Sequence, residues 1–142
     1  MVNKEACFTS NSDEWETPKE TYDRLDHEFH FDLDPCCTTD NQKCCCGYHI
    51  EDDGLAIKWS GKVFMNPPYS QGKKWIEKAY NEVKYGNCRA VVALLPARTD
   101  TIAFHKYIYH KAEIRFIKGR LKFSGSKHPA PFPSMIVIWR TL

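Results

Sequence analysis

The stretch "GKVFMNPPYSQGKKWIEKAYNEVKYGNCRAVVALLP", residues 61–96, decides the fold class. Its first apolar run, "VFM", predicts a buried strand that ends where two prolines remove backbone donors. Apolar residues at helical spacing follow and stop at Gly86, which predicts a helix. "RAVVALLP" is then a continuous apolar run, typical of a strand buried on both faces of a parallel sheet. Strand, helix and strand in this order predict an α/β protein.

The flanking segments extend this alternation in both directions. "TPKETYDRLDHEF" predicts a helix with Thr17 as its N-cap and Pro18 at its first position, and "HFDLDP" predicts a short strand. The segment between Cys36 and Gly54 reads as loop with one brief strand at its middle. After residue 96, "DTIAFHKYIYH" predicts a helix, and "AEIRFIKGRLKF" and "SMIVIWR" predict two strands.

Composition limits the class of protein. A chain of 142 residues is expected to form one domain, and no apolar run approaches the length that spans a membrane. The first sixteen residues, "MVNKEACFTSNSDEWE", carry no pattern of a secretion signal. Seven cysteines, an odd number and partly in runs, are therefore expected to be thiols in a reducing cytoplasm.

The charges are divided unevenly along the chain. Residues 1–71 contain 6 basic and 14 acidic side chains, whereas residues 72–142 contain 14 basic and 4 acidic ones. This asymmetry favours a polyanion as the partner of the later half. The alternative is that the two halves neutralise each other across the fold.

An ordered set of short segments carries a family resemblance. "NPPY" after a strand, with "EWETP", "DLDP" and "DGL" before it and "LLPARTD", "FIKGRLKF" and "FPSMIVIW" after it, resembles the small phage-type DNA N-6-adenine-methyltransferases. The resemblance implies a reduced Rossmann-like methyltransferase fold, with a mostly parallel sheet, helices on both faces and an antiparallel C-terminal strand. It also implies one domain over residues 1–142 without a separate target-recognition domain, S-adenosylmethionine as the cofactor, and a phage or prophage protein acting in bacterial cytoplasm.

The NPPY tetrapeptide, Asn66 to Tyr69, suits transfer to an exocyclic amine. That amine is a poor nucleophile because its lone pair is delocalised into the ring, and two acceptors aimed at its hydrogens help to localise the pair. The amide oxygen of Asn66 and the carbonyl of Pro67 are the candidates, and Pro68 helps to hold them in position. Tyr69 is expected to stack on an adenine that has left the DNA helix.

The resemblance implies a cofactor site at the ends of the first strands. "ETP" is placed against the methionine end, with the free amides of a helix start suited to a carboxylate. Asp34 is expected to approach the cofactor's amino group, Asp32 being the weaker candidate, and either Asp52 or Asp53 is expected to bind its ribose or adenine. The predicted set is Trp15, Thr17, Pro18, Asp34, Pro35, Cys36 and one of Asp52 and Asp53.

One feature departs from the usual pattern of this fold. The first predicted strand runs into "DPCCTTD" with no glycine-rich loop. The short interval between Asp34 and Asn66 has room for one brief strand. We therefore expect a reduced sheet on the cofactor side.

Four basic residues are candidates for DNA binding. Arg98 follows the predicted strand "AVVALLP" and is expected at the active-site edge. Lys118, Arg120 and Lys122 alternate along a predicted strand, which would place them on one face to clamp phosphates. The alternative for each is a solvated basic surface. No segment is long enough for extended base readout, so we expect low sequence specificity.

Two other functions remain open. Cys36, Cys37, Cys44, Cys45, Cys46 and His49 suggest a zinc-dependent nucleic-acid-binding module, but the spacing lacks paired C-x-x-C knuckles and adjacent cysteines point apart, so no metal is expected. The NPPY chemistry also serves other planar nitrogens, such as an RNA base or a protein glutamine amide. The sequence leaves the oligomeric state and the target site open.

Overall fold

A six-stranded sheet is central to the computed structural model, which describes residues 15–36, 46–47 and 53–141. The strands are β1 (Leu33–Asp34), β2 (Cys46–Gly47), β3 (Lys62–Met65), β4 (Ala90–Pro96), β5 (Glu113–Phe116) and β6 (Ser134–Arg140). Their order is β2-β1-β3-β4-β6-β5, in which β2, β1, β3 and β4 are parallel and β6 is antiparallel to both neighbours. The predicted mostly parallel sheet with an antiparallel C-terminal strand is confirmed.

Helices cover both faces of this sheet, as predicted. Helix α1 (Lys19–Phe29) packs Tyr22, Leu25 and Phe29 on one face. Helix α2 (Gly72–Lys84) and a short π-helical segment (Phe104–Ile108) pack on the other face. The core between them and the sheet contains Trp75, Ala79, Phe104 and Ile108.

The central strand β4 shows why its sequence is apolar throughout. Val91, Ala93 and Leu95 belong to the core under α2, whereas Val92 and Leu94 belong to the core under α1. Successive side chains of a strand point to opposite faces, so a strand covered on both sides needs apolar residues at every position. This strand therefore separates the two helical layers.

The start of α1 differs from the prediction. Its N-cap position is Pro18 and no side chain caps it, so the assignment of Thr17 as N-cap is wrong. Thr17 is 3% exposed, and its hydroxyl instead accepts a hydrogen bond from the loop that follows β3.

The prediction of a strand through Lys118, Arg120 and Lys122 is also wrong. Strand β5 ends at Phe116, and Gly119 adopts a left-handed conformation with φ of 76°. Such a turn breaks the alternation that the sequence suggested. The three basic side chains are exposed but do not share a strand face.

An ion-pair network joins the two oppositely charged halves of the chain. Arg115 on β5 pairs with Glu28 on α1 at 2.7 Å and with Glu113 at 2.5 Å, and Glu113 also pairs with Arg140 on β6. Hydrogen bonds from Arg115 lower the pKa of both carboxyl groups. Part of the charge asymmetry is therefore neutralised within the fold.

Candidate active site

The NPPY loop lies at the carboxyl edge of the parallel strands. Asn66 follows the last residue of β3, and a single 3-10 turn (Tyr69–Gln71) connects the prolines to α2. The amide of Gln71 donates to the Pro68 carbonyl at 3.0 Å, so that carbonyl is engaged within the turn. Pro67 is buried next to Asn66. Its carbonyl remains the candidate for the second acceptor.

The side-chain amide of Asn66 is held in one orientation. Its nitrogen donates to the Thr17 hydroxyl at 3.0 Å and to the backbone carbonyl of Trp15. A carbonyl can only accept, so the nitrogen must face Trp15 and the oxygen must point the other way. That oxygen is buried, and no described residue donates a hydrogen bond to it. Asn66 therefore presents a fixed acceptor without a partner.

Thr17 thus lies against the NPPY loop. The sequence, in contrast, predicts that it binds the methionine end of the cofactor. The segment that contains it is bound on its other side to the loop between β5 and β6. The amide of Ser124 donates to the Glu16 carbonyl at 3.1 Å, and its hydroxyl donates to the Thr17 carbonyl at 3.4 Å. Residues 15–17 therefore connect the NPPY loop with the C-terminal part of the chain.

Aromatic rings surround the NPPY loop on the side of α1. Tyr69 meets Phe132 edge-on at 5.2 Å between ring centroids, and Trp15 contacts Phe132 at 5.7 Å and Phe123 at 5.2 Å. Burial raises the pKa of the Tyr69 hydroxyl above its usual range, which keeps it neutral.

This aromatic cluster carries two further unpartnered polar atoms. The Tyr69 hydroxyl and the Trp15 ring nitrogen are buried, and no described residue bonds to either. Together with the Asn66 oxygen they provide one acceptor and two potential donors beside the same loop. Unsatisfied buried polar groups are rare in proteins, so each calls for an explanation, of which a bound polar ligand is one.

The predicted cofactor residues lie at the ends of neighbouring segments. Asp34 ends β1 and is 5% exposed, and the amide of Cys36 donates to its carboxylate at 3.3 Å. Gly54 packs directly on this turn, since a methyl group there would lie 2.1 Å from the Pro35 carbonyl oxygen. The neighbouring Asp53 is exposed. The acidic turn and the "DGL" segment are therefore adjacent.

Of the other two acidic candidates for the cofactor site, Asp32 bonds within the sheet and Asp52 is not described. Asp32 is exposed and accepts a hydrogen bond from the backbone of Lys62 at 2.9 Å, where it helps to align β3 beside β1. Asp52 lies outside the described residues. The choice between Asp52 and Asp53 stays a prediction.

A cavity of about 400 Å³ opens at the carboxyl end of β4, beside the NPPY loop. Tyr69, Lys73, Arg98 and Thr101 line it together with apolar side chains of α2, β4 and the π-helical segment. Arg98 is exposed at this edge, as its position after β4 predicted. The basic residues 118, 120 and 122 do not line this cavity.

The zinc hypothesis falls mostly on residues that are not described. Cys37, Cys44, Cys45 and His49 lie outside the described ranges. Within residues 15–36, 46–47 and 53–141, no group of three or more potential ligands is arranged to hold a metal ion. The same residues contain no helix of the length and apolarity that a membrane crossing needs.

Sequence reasoning assigned no role to Phe123, Phe132 or Ser124. Phe123 and Phe132 fall within "FIKGRLKF" and "FPSMIVIW", two of the segments that carry the resemblance, whereas Ser124 falls within neither. Neither periodicity nor spacing connects these residues with Trp15 or Tyr69. Their contribution depends on the path of the loop that returns from β5 to β6.

Comparisons with known proteins identify a family and several relatives. The model of the DNA N-6-adenine-methyltransferase (Dam) family matches residues 5–142. The chain is 31% identical over 113 residues to the DNA N-6-adenine-methyltransferase of Escherichia phage T1, covering 77% of this chain and 46% of that protein. It is 30% identical over 131 residues to the enzyme of the same name from Haemophilus phage HP1, covering 89% of this chain and 75% of that protein. The chain therefore spans about half the length of the first relative and three quarters of the second.

A solved structure confirms the fold class independently of sequence. The 23S rRNA methyltransferase ErmE superposes with a TM-score of 0.57 and 8% identity, covering 90% of this chain and 70% of that one.

Proposed function

Because the chain belongs to the DNA N-6-adenine-methyltransferase family, we propose that it transfers a methyl group to the N6 amine of adenine in DNA. The observation that carries this proposal is the buried amide oxygen of Asn66, to which no described residue donates and which Trp15 and Thr17 fix at the carboxyl edge of the sheet.

Asn66 and Pro67 prepare the amine for the reaction. The fixed oxygen of Asn66 accepts one amino hydrogen and the Pro67 carbonyl accepts the other, which draws the nitrogen lone pair out of conjugation with the ring. Acceptors that are already in position spend no energy on reorganisation during the reaction. Trp15 and Thr17 supply that preorganisation, because they hold the amide that carries the acceptor.

Tyr69 and its aromatic neighbours suit a planar base that has left the DNA stack. An extruded adenine needs apolar faces to replace its stacking partners and polar atoms to bind its edge. The cluster of Tyr69, Phe132 and Trp15 offers both, through its rings and through the free hydroxyl and ring nitrogen.

The residues at the ends of β1 and β3 fit S-adenosylmethionine as the cofactor. When bound, it supplies an electrophilic methyl group. The buried carboxylate of Asp34 is suited to bind its amino group, and the exposed Asp53 is suited to its hydroxyls. Pro35 and Cys36 follow Asp34 directly, whereas Trp15 and Pro18 flank the segment that holds Asn66; all four are proposed to line the cofactor site. Thr17 acts here by orienting Asn66.

Exposed basic side chains are proposed to bind the DNA backbone. Arg98 lies at the carboxyl edge beside the cavity. Lys118, Arg120 and Lys122 lie on the loop between β5 and β6, before Phe123 in the chain. Phosphate contacts fix position without reading sequence, so methylation at many sequence contexts is expected.

The test is transfer of labelled methyl from S-adenosylmethionine to DNA, RNA and a glutamine-containing peptide, followed by digestion and analysis of the products. We expect N6-methyladenine from DNA, and label in RNA or peptide alone would refute the proposal. Sequencing of the methylated sites on long DNA measures specificity.

A pair of variants tests the role of the amide. Asn66→Ala should lower kcat by about 100-fold or more, because a preorganised group of the reaction is lost. Asn87→Ala, the same change in the turn between α2 and β4, should leave kcat unchanged. An Asn66→Ala variant that keeps near-normal turnover would overturn the mechanism.

A further inference from the structure

Ile102 is the most exposed large apolar side chain among the described residues. Its exposed fraction is 76%, compared with 70% for Tyr85, 67% for Phe116 and 48% for Tyr109. It follows β4 in the chain and therefore lies at the carboxyl edge of the sheet, where the NPPY loop is also found. Ile102 therefore presents an apolar side chain to solvent at this edge.

The helical turn that begins at Ile102 and continues into the π-helical segment is fixed by hydrogen bonds. The Thr101 hydroxyl donates to the Arg98 carbonyl at 3.3 Å and accepts from the Phe104 amide at 3.1 Å. The residues on both sides of Ile102 are thus held. Isoleucine is also stiff at its first side-chain torsion, so the side chain is presented in a restricted set of orientations.

Ile102 also lies beside the cavity next to the NPPY loop. Its two neighbours, Thr101 and Ala103, line the cavity that Tyr69 and Arg98 also line. The apolar side chain of Ile102, the exposed guanidinium of Arg98 and the ring of Tyr69 therefore lie around the same cavity. The segment between Arg98 and Ile102 contains one acidic residue, Asp100.

We propose that Ile102 enters the DNA stack at the place that the target adenine vacates. This inference rests on the proposed function. Extrusion of a base exposes the apolar faces of its two stacking neighbours, and an inserted apolar side chain covers them again. Arg98, four residues earlier, binds a phosphate beside the gap and fixes the depth of insertion.

The role predicts a difference between double-stranded and single-stranded substrates. Insertion into a stack helps only where the adenine starts inside a duplex, because an adenine in a single strand is already accessible. Ile102→Ala should therefore lower kcat/KM at least tenfold on long native DNA and less than twofold on the same DNA after heat denaturation. Ile102→Leu, which keeps an apolar tip, should retain at least a third of the duplex activity.

Tyr85→Ala is the matched control. Tyr85 is similarly exposed but follows the last residue of α2, at the end of that helix remote from the NPPY loop. It should leave kcat/KM unchanged on both substrates. All variants should bind S-adenosylmethionine with wild-type affinity in calorimetry.

Four results would overturn the insertion of Ile102 and leave the proposed function standing. They are unchanged duplex activity of Ile102→Ala, an equal loss on both substrates, an equal loss in the control variant, and a wild-type protein that methylates denatured DNA only. If the wild-type protein transferred no methyl group to either form of DNA, the proposed function would be refuted, and the insertion of Ile102 with it.

Discussion

Thr17→Val separates the role that the structure gives Thr17 from the role that its sequence context suggests. The substitution keeps the shape of the side chain and replaces the hydroxyl with a methyl group. In the structure this hydroxyl accepts a 3.0 Å hydrogen bond from the Asn66 nitrogen. The change therefore removes an acceptor of the Asn66 amide, and under the proposed function it should not affect cofactor binding.

The expected effect follows from the value of one hydrogen bond. The Asn66 nitrogen keeps its second partner, the Trp15 carbonyl, so the amide is loosened and not released. A hydrogen bond of this kind contributes about 0.5–1.5 kcal/mol, which corresponds to roughly two- to tenfold in kcat if the bond serves only to position the acceptor. The dissociation constant of S-adenosylmethionine should stay within about twofold of the wild-type value, a free-energy change below about 0.5 kcal/mol.

The assay is single-turnover methylation of DNA combined with calorimetry of cofactor binding. Thr17→Ser is the control, because it retains the hydroxyl, and it should stay near wild type in both measurements. A valine variant with weakened cofactor binding and unchanged kcat would show that Thr17 binds the methionine end after all. Urea denaturation of each variant establishes that the fold is intact.

Further predictions concern other buried groups. Tyr69→Phe should keep stability, because the ring contact with Phe132 persists, and should lower kcat less than Tyr69→Ala does, because it loses only the proposed bond from the hydroxyl to adenine; Tyr69→Ala should lower both stability and kcat. A phenylalanine variant as damaged as alanine in methylation assays would show that the ring face contributes nothing to catalysis. Gly54→Ala should lower the free energy of unfolding by about 1–3 kcal/mol and weaken cofactor binding, because its methyl group collides with Pro35. Urea denaturation and calorimetry measure the two effects, and wild-type values would exclude the close approach. Burial, with a smaller contribution from the charge of Glu82, raises the pKa of the Cys88 thiol to about 12. Peptide mapping after alkylation at pH 8 should therefore find Cys88 unmodified in the folded protein and modified in urea, and rapid labelling of the folded form would contradict its burial.

Local patterns account for the parts of the fold that the sequence predicted. Strand β4 is apolar at every position because it is covered on both faces, and α2 shows helical spacing because it buries one stripe. Lys118, Arg120 and Lys122 also alternate, yet a left-handed Gly119 lies between the first two and the chain leaves the sheet after Phe116. Alternation alone does not distinguish a strand from an exposed loop.

The contacts that complete the candidate site leave no such pattern. Thr17 and Asn66 are 49 positions apart, and Ser124 and Thr17 are 107 apart. From the sequence, a local role such as a helix cap is sufficient to account for Thr17. Its long-range contact with Asn66 therefore leaves no separate signal in the sequence. Asn66 and Tyr69 could be predicted because they share one contiguous motif, whereas Phe132 could not, because only the returning loop brings it to Tyr69.

The buried amide oxygen of Asn66, to which no described residue donates, also favours a catalytic over a purely structural role for the NPPY loop. If Asn66 served only to tie residues 15–17 to the loop, its nitrogen would be sufficient, since both bonds to Trp15 and Thr17 come from that atom. The buried oxygen would then cost about 1–3 kcal/mol in lost hydration with no compensating bond. Such a cost is expected to persist where function uses the group. The Tyr69 hydroxyl, buried beside the same loop and without a partner among the described residues, carries the same cost. Two such polar groups beside one loop favour a ligand that bonds to them, and adenine, with an amino group and ring nitrogens on one edge, offers both kinds of partner.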